Sequence, residues 1–193
     1  MRLGCVVMAA GAASRFGGGK LAARVGGTSL FRRALEAVPA DRCFAVAVVA
    51  DEPDFLALAE RFRFLTVDND RPELGVSRTI RLGLEALGNC QGVMFLVADQ
   101  PFLRRESAEK ALALFAEHPD RIVALAHGGQ RGNPCVFPAS LFPELLALEG
   151  DTGGSAVIRR HEELLLLLET PAEELMDVDT PEQLPDRDRC KKA

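Results

Sequence analysis

The stretch from Cys5 to Lys20 constrains the fold more than any other part of this sequence. It begins with an apolar run too short to span a membrane and continues into a loop of small residues that contains Arg15 and ends at Lys20. This composition is typical of a buried strand followed by an anion-binding loop. Glycine and alanine let backbone N–H groups approach phosphate oxygens, and the two basic side chains supply positive charge. The stretch therefore predicts a triphosphate site directly after the first strand.

Two well-known phosphate loops do not account for this stretch. A Walker A loop would have glycine at the position of Ser14 and serine or threonine at the position of Leu21. The loose dinucleotide fingerprint Gly17-x-Gly19-x-x-Ala22 begins well after the strand ends, and no acidic residue ends a second strand at the expected distance. An ordinary glycine-rich connection between a strand and a helix is also compatible with the loop.

Apolar runs of strand length alternate with helical segments along the rest of the chain. We predict further strands at 43–50, 64–67, 92–97, 122–126 and 163–169. We predict helices at 29–38, 53–63, 106–117 and 141–148. Continuous apolar runs belong to parallel sheets, and this alternation implies crossovers with helices on both sheet faces. The sequence therefore predicts one three-layer α/β domain with a mostly parallel sheet over residues 1–185, followed by a charged tail at 186–193.

Charge and cysteine usage exclude several classes of protein. The 193-residue chain has a formal net charge of −5 and contains no run of Lys and Arg that could neutralise a nucleic-acid backbone. Its five cysteines are widely spaced and form no C-x-x-C pair, which favours reduced thiols over a disulfide framework or a zinc site. The N-terminal run lacks the length and cleavage signal of a secretory peptide. We therefore expect a cytoplasmic protein with neither a nucleic-acid nor a membrane partner.

Asp99 follows the apolar run at 92–97, and Pro101 turns the chain immediately after it. Open α/β sheets bind their ligands at the carboxyl ends of the strands, so Asp99 is well placed to hold Mg²⁺. A structural aspartate that caps the following turn is the competing interpretation.

Two further aspartates lie near the end of the chain. In strand geometry Asp177 and Asp179 would point the same way, so one of them could complete a magnesium site with Asp99. Alternatively, Asp179 or Thr180 caps a last short helix that has Pro181 in its first turn. We also expect Asp151 to cap a helix that begins near Gly153, whose N-terminal amides would suit an anion.

The order of residues in the first motif resembles a known family. Met8-Ala9-Ala10-Gly11-x-x-Ser14-Arg15-Phe16-Gly17-x-x-Lys20 is similar to the signature of the nucleotidyltransferases that build molybdenum cofactor dinucleotides. Further matches follow in order at 75–84, Asp99-Gln100-Pro101-Phe102, 142–153 and 176–184. The resemblance covers nearly the whole chain and implies a Rossmann-like nucleotidyltransferase domain.

The resemblance also implies roles for individual residues. The implied catalytic residues are Arg15, Lys20 and Asp99. The implied nucleotide-binding residues are Ala9, Ala10, Gly11, Ser14, Arg15, Gly17, Lys20, Ser77 and Asp99. The implied metal ligands, for Mg²⁺, are Asp99, Asp177 and Asp179. The implied acceptor-binding residues are Gly132, Asn133, Pro134 and Asp151. The chain departs from the family pattern at Val76, where methionine is usual, and at Gly154-Ser155-Ala156, where G-A-R is usual.

The implied reaction is the transfer of CMP from CTP to molybdopterin, with or without molybdenum, with release of pyrophosphate. In the resembled family the cytidylyl enzymes tend to carry A-A-G where guanylyl enzymes carry A-G-G, and the Ala10 side chain would crowd a larger purine. A GTP-dependent guanylyltransferase and a transferase for another small phosphate are the enzyme alternatives. A molybdopterin-binding delivery chaperone is the non-enzyme alternative. A recipient molybdoenzyme or its maturation chaperone is a further implied partner.

Overall fold

The computed structural model describes residues 1–10 and 19–184. The predicted site residues Gly11, Ser14, Arg15 and Gly17 lie outside the described residues, as does the tail at 186–193.

The described residues form nine strands, six α-helices and several short 3-10 helices. The strands are β1 (Leu3–Ala9), β2 (Arg24–Val25), β3 (Thr28–Ser29), β4 (Ala45–Ala50), β5 (Leu65–Asp68), β6 (Gly92–Val97), β7 (Ile122–His127), β8 (Gln130–Pro138) and β9 (Leu165–Glu169). The α-helices are α1 (Leu30–Ala37), α2 (Pro53–Arg61), α3 (Val76–Leu87), α4 (Arg105–Glu117), α5 (Phe142–Leu146) and α6 (Ser155–Arg160). The 3-10 helices are Lys20–Ala22, Ala40–Arg42, Pro72–Leu74, Ala139–Leu141, Glu162–Leu164, Ala172–Leu175 and Pro181–Gln183.

Seven strands form the central sheet in the order β5-β4-β1-β6-β8-β7-β9, and β2 and β3 pair separately. The pairs β5 with β4, β4 with β1, β1 with β6 and β7 with β9 are parallel. Only β8, among these seven strands, runs antiparallel to its neighbours β6 and β7. A short turn at Gly128 and Gly129, both with positive φ, joins β7 to β8, and a tight turn of this length can only join antiparallel strands. The predicted mostly parallel sheet is confirmed.

The sheet separates two apolar clusters, which makes the domain three-layered. Cys5 and Val7 of β1 face one cluster, to which α1, α2 and α4 contribute, and Val6 faces the other, to which α3, α5 and α6 contribute. All three side chains are fully buried. A strand buried on both faces explains why the first apolar run shows no polar alternation.

Most predicted elements differ from the observed ones only at their ends. The Ser29 hydroxyl accepts a hydrogen bond from the Arg32 amide at 3.2 Å, so Ser29 caps α1. The strand predicted at 163–169 begins only at Leu165, because Glu162–Leu164 forms a 3-10 turn. Across the part of the chain that the structure describes, every helix is too short or too polar to cross a membrane.

Candidate nucleotide and metal site

The candidate site lies at the sheet edge where β1 and β6 end. The two strands are parallel neighbours, and the Ala98 amide donates a hydrogen bond to the Met8 carbonyl at 3.1 Å just beyond the end of β6. Ala9 and Ala10 therefore lie next to the segment that carries Asp99. The carboxyl edge of a parallel sheet is where open α/β folds bind ligands.

Lys20 connects this edge to the late part of the chain. Its Nζ donates hydrogen bonds to Asp99 Oδ2 at 2.8 Å and to Asp179 Oδ1 at 2.9 Å. The Lys20 side chain is only 12% exposed, whereas the carboxylates of Asp99 and Asp179 are 27% and 45% exposed. The structure thus brings together three predicted site residues from three separate parts of the sequence.

The charge state of Lys20 follows from these contacts. Burial by itself would lower the pKa of Lys20, but the hydrogen bonds and negative charges of Asp99 and Asp179 outweigh burial and raise that pKa. Lys20 is therefore a protonated ammonium group between two carboxylates.

Residues 174–179, which we call the late segment, are hydrogen-bonded to the chain that follows β6. The Val178 amide donates to the Asp99 carbonyl at 3.0 Å. Gln100 Nε2 donates to the Leu175 carbonyl at 3.3 Å and to Asp177 Oδ1 at 2.9 Å. These two bonds from Nε2 hold the Gln100 side chain in place. Gln100 Oε1 is buried and has no partner among the described residues. The late segment is anchored beside Asp99 through both backbone and side chain.

A buried glutamate adds a further anchor to the late segment. Glu174 is 1% exposed, and its Oε2 accepts a hydrogen bond from the Arg104 amide, just before α4, at 3.0 Å. Sequence reasoning missed both Gln100 and Glu174. Gln100 lies inside a recognised motif, but nothing in the local pattern around Glu174 separates it from its exposed neighbour Glu173.

The strand geometry expected for Asp177 and Asp179 is not observed, and the two side chains have different hydrogen-bond partners. The late segment is not a strand between Met176 and Thr180, so side chains there do not alternate between two faces. Asp179 bonds to Lys20 and Asp177 bonds to Gln100. Partial removal from water, and then the charge of Asp99, raise the pKa of Asp177, although the Gln100 hydrogen bond partly offsets both effects.

The donor set at this edge fits a hard divalent cation. Asp99 and Asp179 already converge on one positive charge, and carboxylate oxygens are the ligands that Mg²⁺ and Mn²⁺ prefer. Within residues 1–10 and 19–184, no group of three or more His, Cys, Asp or Glu side chains is arranged to hold a metal ion. Magnesium commonly binds through one or two carboxylates together with substrate phosphates, so two protein ligands suffice.

The segment around Ser77 contacts the loop that carries Asp151. Ser77, in the first turn of α3, is 4% exposed, and its amide donates to the Gly150 carbonyl at 3.2 Å. Gly75 has φ of +87°, and a Cβ at this position would lie 2.3 Å from the carbonyl carbon and oxygen of Gly150. Only glycine permits this approach of the two backbones.

Asp151 itself does not cap α6, so that prediction is wrong. The residue before the helix is Gly154, and no side chain caps it. An N-cap side chain bonds to an amide two or three residues further along, and Asp151 lies too far before the first helical residue, Ser155, to do so. Asp151 is exposed on the loop beside Gly75.

The other predicted acceptor residues, Gly132, Asn133 and Pro134, lie in β8. The register pairs Phe95 with Cys135, so Gly132, Asn133 and Pro134 extend toward the carboxyl end of β6. A Cβ on Gly132 would lie 3.0 Å from Leu175 Cδ2, which places the late segment against β8. The structure therefore brings Gly132, Asn133 and Pro134 to the sheet edge where β6 ends, beside the late segment.

Comparison with known proteins identifies a family and a fold. A sequence model of the family described as the MobA-like NTP transferase domain matches residues 5–164. A search of curated proteins gives no match.

Several solved structures share the fold. Rv0371c from Mycobacterium tuberculosis H37Rv has a TM-score of 0.75 at 20% identity, covering 93% of this chain and 94% of the other. A nucleotidyl transferase from Methanothermobacter has a TM-score of 0.77 at 19% identity, covering 93% and 92%. CMP:2-keto-3-deoxy-manno-octonic acid synthetase complexed with CTP has a TM-score of 0.71 at 15% identity, covering 94% and 95%. A complex of Rv0371c with manganese superposes with a TM-score of 0.65 at 18% identity, covering 92% and 94%. At these identities the similarity establishes the α/β Rossmann-like nucleotidyltransferase fold.

Proposed function

The chain belongs to the MobA-like NTP transferase domain family, and on that premise we propose that it is a molybdenum cofactor cytidylyltransferase. The reaction transfers CMP from CTP to molybdopterin, with or without bound molybdenum, and releases pyrophosphate. The observation that carries the proposal is the bridge from Lys20 to Asp99 and Asp179 at the carboxyl edge of the sheet. A triphosphate site needs a positively charged side chain, and beside it carboxylates that can bind a metal ion.

The proposed chemistry requires no protein nucleophile. The anionic terminal phosphate oxygen of the acceptor attacks the α-phosphorus of the nucleotide in line and forms a new P–O bond. The bond from the α-phosphorus to the bridging oxygen breaks, and pyrophosphate leaves with that electron pair. The main barrier is the approach of two anions, so positioning and charge neutralisation supply the catalysis.

Each basic or acidic residue has one task in this scheme. Lys20, together with Arg15, neutralises the charge that develops on the leaving pyrophosphate. Asp99 and Asp179 would hold Mg²⁺, which neutralises phosphate charge when it is bound. Asp177 is the third candidate metal ligand. It accepts a hydrogen bond from Gln100, the residue that follows Asp99. The manganese complex of Rv0371c supports the use of a divalent cation in this fold.

The choice of CTP is supported by sequence and by fold neighbours. Ala9-Ala10-Gly11 stands where guanylyl enzymes carry A-G-G, and the Ala10 methyl group would crowd a larger purine. Two structures with this fold are cytidylyl enzymes by name, the CTP complex of the octonic acid synthetase and the 4-diphosphocytidyl-2C-methyl-D-erythritol synthase of Anaerococcus prevotii. GTP is the second candidate nucleotide, because one methyl group is a modest barrier.

On the acceptor side, the proposed contacts come from β8 and from the loop that carries Asp151. Gly132, Asn133, Pro134 and Asp151 would contact the phosphorylated pterin. The product would pass to a molybdoenzyme or its maturation chaperone in the cytoplasm.

Pyrophosphate release tests the assignment. The purified protein is incubated with Mg²⁺ and CTP, GTP, ATP or UTP, with and without molybdopterin, and the product is identified by mass spectrometry. We expect release that requires the pterin and is fastest with CTP. Faster release with GTP would make the protein a guanylyltransferase. Release that never depends on the pterin would indicate another acceptor, and pterin binding without release would indicate a delivery chaperone.

A further inference from the structure

Lys20 lies where a metal ion held by Asp99 and Asp179 would also have to lie. Its ammonium nitrogen is 2.8 Å and 2.9 Å from one oxygen of each carboxylate. A divalent cation binds carboxylate oxygens at about 2.0–2.6 Å, so both cations need the same narrow space between the two side chains. With the Lys20 side chain only 12% exposed, water does little to screen the repulsion between them.

We propose that the Lys20 ammonium is a built-in cation that a divalent metal ion must displace from Asp99 and Asp179. Displacement frees the long and flexible lysine side chain to contact the phosphates of the nucleotide. The inference rests on the function proposed above and concerns the same site. Before the nucleotide binds, Lys20 competes with the metal ion for Asp99 and Asp179. After the nucleotide binds, Lys20 and the metal ion both neutralise phosphate charge.

This exchange has a consequence that an ordinary phosphate-binding lysine does not have. Removal of the Lys20 charge should strengthen the binding of a metal ion alone while it weakens catalysis. Coupling free energies between two ligands of one protein commonly correspond to factors of about 5 to 150, and the coupling is reciprocal. A lysine that never touches the metal ligands would leave the affinity for the metal unchanged.

The first experiment measures Mn²⁺ binding in the absence of nucleotide. Free Mn²⁺ is followed by electron paramagnetic resonance in the full-length wild type and in Lys20→Met, Lys20→Arg and Lys110→Met variants. Lys110 is an exposed lysine on α4, so Lys110→Met makes the same charge change away from the site. We expect Lys20→Met to bind Mn²⁺ about tenfold more tightly than the wild type, with Lys20→Arg and Lys110→Met close to the wild type. Equal or weaker binding by Lys20→Met would overturn the proposal.

A double variant tests where the more tightly bound Mn²⁺ lies. In Lys20→Met combined with Asp99→Asn, the tighter binding should disappear, because one of the two proposed ligands has lost its charge. Tighter binding that survives Asp99→Asn would mean that the metal binds elsewhere, which also overturns the proposal.

A second measurement uses the wild type and does not depend on how any variant folds. Lysines are labelled with an amine-reactive reagent, and the labelling of Lys20 relative to Lys110 is quantified by mass spectrometry with and without saturating Mg²⁺. We expect the ratio to rise several-fold on addition of Mg²⁺, because the displaced amine becomes accessible. An unchanged ratio would mean that the metal does not move Lys20.

Failure of this inference and failure of the proposed function are distinguishable. Pyrophosphate release by the wild type tests the function, whereas metal affinity and Lys20 labelling test the exchange. Normal release with an unchanged labelling ratio would leave the function in place and remove the exchange.

Discussion

Lys20 joins two aspartates that lie 79 and 159 residues further along the chain. Its neighbours in sequence are mostly small and apolar, so the lysine owes its environment to distant carboxylates. Those carboxylates outweigh the effect of burial and raise its pKa, so Lys20 stays charged. In the proposed reaction this charge stabilises the negative charge that develops on the leaving pyrophosphate.

Lys20→Ala and Asp99→Ala should each lower turnover strongly. Loss of one group that stabilises developing charge costs about 10²–10³ in kcat. The measurement is the rate of pyrophosphate release with CTP, Mg²⁺ and molybdopterin, with Lys110→Ala as the control. Thermal melting of each variant should show a folded protein. Near-normal turnover in either variant would count heavily against the assigned roles.

Asp179→Asn and Asp177→Asn should differ in their effect on metal binding. Asp179 contacts Lys20 at the proposed metal position, whereas Asp177 contacts Gln100, whose amide can donate equally well to asparagine. We expect Asp179→Asn to weaken Mn²⁺ binding by at least about tenfold and Asp177→Asn to leave it unchanged within error. Isothermal titration of Mn²⁺ into both variants checks this. Equal losses would show that both aspartates coordinate the metal.

At the scale of elements, the late segment owes its position to hydrogen bonds rather than to regular structure. Gln100, Glu174 and Val178 connect it to the chain between Asp99 and Arg104. These bonds set where Asp179 lies, so residues that touch no substrate determine the geometry of the site.

Glu174→Ala should destabilise the protein and loosen the metal site together. The Arg104 amide would lose its carboxylate acceptor, and a hydrogen bond to a charged group contributes about 1.5–3 kcal/mol. Glu173→Ala is the matched control, because Glu173 pairs with the same arginine through an exposed contact worth less than about 1 kcal/mol. Urea unfolding and Mn²⁺ affinity are measured for both. If the two variants have the same stability and the same Mn²⁺ affinity, the buried Glu174 does not position Asp179.

At the scale of the whole molecule, close contact between layers fixes the distance from α3 to the sheet. A Cβ on Gly83 of α3 would lie 2.5 Å and 2.7 Å from the two methyl groups of Val6 on β1. Ser77, in the first turn of the same helix, donates a hydrogen bond to the Gly150 carbonyl. The spacing of the layers and the position of Ser77 therefore depend on one another.

Gly83→Ala should destabilise the domain even though alanine favours helix by about 1 kcal/mol over glycine. Overpacking of a dense core typically costs about 1–3 kcal/mol, which exceeds that gain. Val6→Ala alone should also destabilise, but the double variant should be less destabilised than the sum of the two by about 1 kcal/mol. Gly153→Ala is the control, because its Cβ would meet Val76 at an ordinary 3.6 Å. Additive effects in urea unfolding would contradict the contact.

The apolar runs and the glycine-rich loop were sufficient to predict the three-layer α/β domain, the mostly parallel sheet and the placement of Asp99 after β6. These features depend on local composition and on strand length, which a sequence displays directly. The turn-rich sequence at 128–137 was compatible with a hairpin-like connection into a strand, and the strand pairing established that β8 is antiparallel.

Only the tertiary structure decided which late aspartate meets Lys20 and which residues hold it there. Asp177 and Asp179 are two residues apart and equivalent in type, and irregular backbone lets them turn to different partners. Buried Glu174 and exposed Glu173 are likewise indistinguishable until the chain folds. The sequence determined the elements because their cause is local, whereas the site depends on contacts between residues far apart in the chain.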